Sequence, residues 1–228
     1  MLKIMTAFDD AAIRFLDILI SFIVIFALIP LLLSVCIWNL LTGENEIFYK
    51  QIRVGKDGKH FHILKFATMI KDSPNIGSGL FTDESDTRFL PLGAVLRKTK
   101  INELPQLINV IRGEMSIVGF RPLVPTSYDT VKQMVGERAY TCASGITSVA
   151  SILLRNEEAI LSKIEREERI HYYNTKILPA KACLDLWWCE NRNLYNYCLI
   201  IALTAVALIL PIKLVPFGVL KDLPLLSL

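Results

Sequence analysis

The chain has little with which to build a metal centre or a redox motif. Its five cysteines, Cys36, Cys142, Cys183, Cys189 and Cys198, form no CxxC pair and lack histidines at zinc-ligand spacing. Cys36 and Cys198 lie inside apolar runs, where a thiol behaves as a small hydrophobe, and the same packing role is expected of all five. Of the three histidines, His60 and His62 alternate along an expected strand with no third ligand, which is weak ground for a metal. Charge is scarce too: 21% of the 228 residues are charged and 53% hydrophobic, where a soluble domain has about a quarter charged. This balance excludes a disordered chain, a coiled coil and a collagen-like repeat, and no internal repeat is visible. A net charge of +3 is too small to argue for nucleic acid. That excess is local, however. Residues 86–121 carry Arg88, Arg97, Lys98, Lys100, Arg112 and Arg121 against Asp86, Glu103 and Glu114. A positive field of this kind suits an anionic ligand.

What the sequence does have is two long apolar runs. Ile18–Gly43 contains 26 residues without a charge, enough to span a bilayer, which takes about 20. A cleaved signal peptide fits badly, because the run is too long and no small-residue cleavage pattern follows. Pro30 falls near its middle, where a missing amide donor and a ring clash predict a bend. The run is therefore either a kinked spanning helix or a helix–break–helix hairpin that returns to the face it entered. Lys3 and Arg14 precede it and Lys50, Arg53, Lys56 and Lys59 follow it, a weak argument for both ends being cytoplasmic. The second run, Asn193–Ile212, fits a second span, an interfacial helix or a buried core helix.

Between the runs the pattern is globular. The stretch from Ile47 to Met69 reads as two strands joined at Asp57-Gly58, a dipeptide favoured by type I′ turns. Asp72–Asp86, rich in Ser, Gly and Asp, reads as a mobile loop. A helix is expected after Asn102 as N-cap, with Pro105 in its first turn, an apolar face of Leu104, Leu107, Ile108 and Ile111, and Gly113 as its stop. Glu103 would then lie at a helix end that favours negative charge and attracts phosphate. Asn156–Tyr173 reads as a solvated helix with Lys163–Glu167 and Glu165–Arg169 pairs. Trp187 and Trp188, beside Asp185 and Glu190, suit a membrane–water boundary.

Four stretches carry a resemblance: RVGKDGKHFHILKFATM, LRKTKINELPQLINVIRGEMSIVGFRP, SGITSVASILLRNEEAIL and ILPAKACLDLWWCENRN. In this order they resemble the bacterial sugar transferases, the monotopic phosphoglycosyl transferases that start O-antigen, capsule and exopolysaccharide assembly. The resemblance runs from about Arg14 to Leu210. It implies an α/β, mostly α, membrane-associated catalytic domain with an N-terminal re-entrant helix broken at Pro30, a β-hairpin and interfacial amphipathic helices. Residues 1–43 would form the membrane-embedded helix, 44–192 the catalytic domain on the cytoplasmic face of the bacterial inner membrane, and 193–228 a C-terminal apolar membrane-associated segment. The implied reaction has two steps. A carboxylate attacks the β-phosphate of a UDP-sugar and expels UMP, then undecaprenyl phosphate takes the sugar phosphate from the enzyme. Partners would be the UDP-sugar, undecaprenyl phosphate and the lipid bilayer, without nucleic acid. The family's Asp-Glu dyad, which works with Mg²⁺, falls on Asn102-Glu103, with Glu103 the implied metal ligand. Its KFRTM lysine falls on Lys65, the basic residue five places before the dyad on Arg97, and the PRP arginine on Arg121.

The departures from that pattern are chemical. Asn102 stands where the family has its nucleophilic Asp, and a neutral amide cannot form an aspartyl phosphate. Ala67 replaces the KFRTM arginine, Phe120 the first proline of PRP, and RPGITG reads Ala143-Ser144-Gly145-Ile146-Thr147-Ser148. Three readings follow: an active transferase, with Glu103 as nucleophile or with direct transfer between substrates; a catalytically weakened member acting as a membrane-bound partner or regulator; or an unrelated membrane protein.

Overall fold

A computed structural model describes residues 7–73, 86–136, 140–165, 167–210 and 217–224. The expected loop at Asp72–Asp86 lies mostly outside them. The long apolar run forms two helices, α1 (Ala7–Ala27) and α2 (Ile29–Thr42), bent by 66° at the break between them. Pro30 occupies the first turn of α2, where it removes the hydrogen bond that would have continued α1. No single helix among the described residues is long and apolar enough to cross a membrane, although the bent pair passes that test together. Much of the pair's surface is exposed hydrocarbon, with Phe8, Phe26 and Leu41 each at least 74% exposed.

A polar stripe attaches α1 to the rest of the chain. Asp17 is buried in the middle of this apolar helix. Its carboxylate accepts hydrogen bonds from the Ser116 hydroxyl (3.0 Å), the Ile117 amide (2.8 Å) and the Tyr197 phenol (2.8 Å). One turn earlier, Arg14 donates to the carbonyls of Val110 and Ile111 at 2.6 and 2.8 Å. These carbonyls lie in the last turn of α4 (Gln106–Arg112), where a cation complements the helix dipole.

Strands β1 (Phe48–Val54) and β2 (His60–Phe66) pair antiparallel, with Tyr49 opposite Lys65 and Arg53 opposite Phe61. As expected, the connection turns at Asp57-Gly58; both have positive φ (55° and 75°), and the Lys59 amide closes the turn on the Lys56 carbonyl. Two short parallel strands, β3 (Ser116–Val118) and β4 (Gly145–Thr147), form the other sheet. There the backbones meet so closely that a Cβ on Gly145 would sit 2.0 Å from the Gly119 nitrogen. Glycine is required at that contact.

Helix α3 (Gly93–Lys98) precedes the dyad region, and α5 (Pro125–Val135) and α6 (Val149–Leu153) flank β4 in sequence. The Asn156–Tyr173 segment is not one helix: it breaks into α7 (Glu157–Leu161) and α8 (Arg169–Tyr172), and a π-helical turn at Tyr173–Ile177 leads into α9 (Leu178–Asn191). The tryptophans of α9 do not face a membrane boundary. Trp187 is 6% and Trp188 1% exposed, packed in the core with Ile13, Phe120, Tyr140 and Leu184. Their contact area is worth most where it is fully covered. Helix α10 (Leu194–Ile209) buries Tyr197, Ile200, Leu203 and Ala207 in the same core, so one face acts as a core helix while Leu208 and Ile209 stay exposed.

The cysteines also depart from expectation. Cys142 and Cys189 are joined as a disulfide that ties the segment before β4 to α9, while Cys36, Cys183 and Cys198 are free thiols.

Asp17 is the polar anchor of α1, and its loss leaves three donors facing a buried gap. Asp17→Ala is therefore expected to cost about 2–4 kcal/mol. In detergent this should lower the apparent Tm by roughly 5 °C or more. A change within about 1 °C would show that α1 is held by its apolar contacts alone.

Candidate active site

The region around the dyad folds differently from the sequence expectation. Asn102 caps no helix. Ile101–Glu103 is a single 3-10 turn, entered through Lys100 in the left-handed region (φ 60°), and α4 begins only at Gln106. Gly113, also left-handed at φ 82°, stops α4 as expected. The face that α4 buries is Gln106, Leu107, Asn109 and Val110, not the row of four aliphatics. The polar members are buried because they serve the hairpin. Asn109 accepts the Leu64 amide at 3.0 Å and donates to the His62 carbonyl at 2.8 Å. Its side chain satisfies the edge of β2 as another strand would.

That bridge fixes β2 beside the 3-10 turn and brings Lys65 to Glu103. The Lys65 ammonium lies 3.2 Å from Glu103 Oε1. The Arg121 guanidinium, from the segment after β3, lies 3.6 Å from the same oxygen. Glu103 and Lys65 are largely buried, with side chains 15% and 18% exposed, whereas Arg121 is about half-exposed. Burial alone would raise the Glu103 carboxyl. The charges of Lys65, Arg121 and Lys100 outweigh it and hold the group at about 2. Lys65 is pushed down to about 8 by burial, then by Arg121 and Arg53, with Glu103 opposing.

Beside this pair opens a shallow cleft, lined by Arg53, Ile63, Lys65, Gln106, Arg121, Pro122 and Gly145. The sequence reading took Arg53 only as a flanking charge. In the fold it is a wall of the cleft, with its guanidinium donating to the Gln51 amide oxygen (3.1 and 2.6 Å) and the Pro122 carbonyl (3.1 Å). Burial, and next to it the charge of Arg121, bring it down to about 10. Period-2 alternation puts Arg53 on the Lys65 side of the hairpin, which was the available signal. Asn102 is buried, and its Oδ1 has no hydrogen-bond partner. Arg97 stands elsewhere, with its guanidinium over the Phe89 ring at 5.7 Å and 3.8 Å from Met69 Sδ, and it does not line the cleft. Pro30 is at the helix bend, remote in function from these charges.

One further acid was missed. Asp185 of α9 is buried, accepts the Arg121 amide, and has a second oxygen without a partner. Burial pushes its carboxyl up to about 8 against the charges of Lys181 and Arg121.

A shallow cleft walled by Arg53, Lys65 and Arg121 beside one carboxylate, on a small α/β scaffold with an apolar helix pair, is an arrangement suited to an anion. The chain matches the bacterial sugar transferases over residues 8–211 and belongs to that family. It is 33% identical to the exopolysaccharide production protein ExoY of Sinorhizobium fredii over 66% of this chain and 73% of that one. It is 32% identical to the uncharacterized sugar transferase EpsL of Bacillus subtilis, over 76% of this chain and 75% of that one. A longer relative is the UDP-glucose:undecaprenyl-phosphate glucose-1-phosphate transferase of Klebsiella pneumoniae, 31% identical over 76% of this chain and 37% of its own length.

The raised Asp185 pKa has a signed consequence for stability. The folded protein keeps a proton that the unfolded chain releases above the ordinary carboxylate value. The stability this contributes is full below about pH 4 and is lost as pH rises toward about 8. Asp185→Asn, which keeps the acceptor for the Arg121 amide, should remove that loss. Its apparent Tm relative to the parent should be several degrees higher at about pH 8 than at about pH 5. Parallel pH profiles for the two proteins would show that Asp185 is ionised in the fold.

Proposed function

We propose that the protein transfers a sugar-1-phosphate from a UDP-sugar to undecaprenyl phosphate, releasing UMP, as the first step of exopolysaccharide, capsule or O-antigen synthesis. The observation that carries this reading is the convergence of Arg53, Lys65 and Arg121 on one cleft, with Glu103 paired to two of them. Phosphoryl transfer asks a protein for positioning and for charge stabilisation, and this cleft supplies both. Relatives named as undecaprenyl-phosphate sugar phosphotransferases support the substrate class.

The oxygens at the dyad favour direct transfer over a covalent enzyme intermediate. Asn102 offers only a neutral amide oxygen. Glu103 is ionised but weakly basic, and two cations share its Oε1. A carboxylate so engaged is a poor nucleophile. In the direct route an oxygen of undecaprenyl phosphate attacks the sugar-bearing β-phosphorus. The new phosphorus–oxygen bond forms as the bond to the bridging oxygen breaks, and UMP leaves with that electron pair. Arg53, Lys65 and Arg121 hold the diphosphate and take up the charge that develops on the leaving UMP. Glu103 keeps Lys65 and Arg121 aimed into the cleft.

The Glu103 carboxylate and the buried, unpartnered Asn102 Oδ1 are hard oxygen donors of the kind Mg²⁺ takes alongside substrate phosphates. When bound there, Mg²⁺ would spread phosphoryl charge.

The test is UMP release from a panel of UDP-sugars in nanodiscs, with and without undecaprenyl phosphate. Direct transfer requires the lipid for any UMP to appear and leaves no adduct on Glu103. Glu103→Gln should slow turnover by about 100-fold or more. Asn102→Asp should introduce a burst of UMP without lipid, because it adds a competent nucleophile. A burst from the unaltered protein, with a phosphosugar on Glu103 by mass spectrometry, would overturn the direct route. Absence of turnover over the whole panel in both proteins would count against the transferase.

The bent helix pair is read as re-entrant, with the cleft on the cytoplasmic side of the inner membrane. Exposed hydrocarbon on both arms and the 66° bend at Pro30 support this. Cysteines introduced at Ala7 and Glu46 should both resist a membrane-impermeant maleimide applied from the periplasm. Periplasmic labelling of either position would make the pair a span.

A further inference from the structure

The charges at the cleft do not balance. Arg53, Lys65, Lys100 and Arg121 all act electrostatically on one carboxylate, Glu103. The other acids nearby offset them only in part, through the charge of Glu157 acting on Arg121. Glu157 is already paired with Lys181 at 2.5 Å. Asp185, which accepts the Arg121 amide, has its carboxyl pushed up to about 8 by burial. The position next to Glu103, which would carry a second negative charge as Asp, is the amide of Asn102.

Arg53 makes the imbalance specific. It is half-buried, and the hydrogen bonds that fix it go to neutral acceptors, the Gln51 side chain and the Pro122 carbonyl. Charges withdrawn from water are ordinarily paired with an opposite charge. Here the stronger neighbouring charge is that of another arginine, Arg121, ahead of the opposing charge of Glu103. An arginine held rigidly by neutral groups, at the wall of a cleft and beside a second cation, is a counter-charge waiting for an anion that comes from outside.

Resting on the transferase reading, we propose that this chain captures the diphosphate of its donor through Arg53, Lys65 and Arg121 without needing a divalent cation. A protein with two acids at the dyad would face the diphosphate with more negative charge of its own and would need a metal between them. With Asn102 the approach is attractive before any metal arrives. Guanidinium groups match phosphate oxygens in charge and in fork geometry, so the neutral residue at 102 leaves binding in the hands of side chains. Mg²⁺, where it acts, then acts on transfer and not on capture.

The experiment is isothermal titration of the full chain in detergent with UDP, once in EDTA and once in excess magnesium chloride. The Kd for UDP should agree within about threefold between the two buffers, a difference well under 1.4 kcal/mol. Arg53→Gln should weaken binding about tenfold or more in EDTA, and Arg53→Lys, which keeps the charge, should recover part of it. Asn102→Asp should lose about tenfold in EDTA and regain it with magnesium. This variant keeps every cation, so it tests the proposal even where Arg53→Gln folds poorly. Binding by the unaltered protein only with magnesium would overturn the proposal and leave the transferase reading standing. Binding in neither buffer would overturn both.

Discussion

The burial of Glu103 among cations is the constraint on which the site depends. A carboxylate with little exposure is tolerable only when opposite charges reach it, and here the carboxylate and its two partners come from three separate stretches of chain. Lys65 is on β2, Glu103 on the 3-10 turn, and Arg121 follows β3. Each must be held independently to within about an ångström, because an ion pair at 3.2 Å weakens quickly with displacement. Most of the unusual buried polar residues can be understood as meeting that demand. Asn109 locks the hairpin to α4, and Asp17 locks β3 to α1 and α10. The close approach of Gly119 and Gly145 sets the path of the segment that ends in Arg121.

The same polar anchors join the apolar helix pair to the cationic cleft. Arg14 and Asp17 both belong to α1, and both end on the elements that carry the site, α4 and β3. A rigid connection of this kind means that the orientation of α1 and α2 sets the orientation of the cleft. For a reaction between a water-soluble nucleotide sugar and a lipid phosphate, a fixed relation between an apolar surface and a cationic cleft brings the two substrates to one place. The exposed phenylalanines of α1 and the exposed leucines of α2 give that surface its chemistry.

Asn102 changes the character of the dyad without disturbing its place. The side chain is buried with its oxygen unpartnered, beside a carboxylate that already serves two cations. A position that would supply negative charge as Asp supplies only a dipole, and the cleft becomes more positive as a result. In the proposed transfer, the chemistry there would shift from attack by the protein toward arrangement of two substrates.

Much of this was legible in the sequence because local rules carry it. Pro30 broke the apolar run where a missing amide requires it, Asp57-Gly58 made the turn its φ angles permit, and Gly113 stopped α4. Motif positions brought Lys65, Glu103 and Arg121 to attention, and the fold put them in contact. The errors have a shared cause. Asn102 has the side chain of an N-cap, yet the turn at Lys100 holds it in a 3-10 segment. The two tryptophans have the composition of a membrane belt, yet the core encloses them. Cys142 and Cys189, 47 residues apart, meet only because α9 packs beside β4's approach. Arg53 carried no signal beyond its charge and strand parity. By itself the sequence determined the breaks, turns and charge inventory, since these depend on a residue and its near neighbours. Tertiary structure alone decided which charges were paired and which were left facing the cleft, since that depends on burial and on distances between segments far apart in the chain.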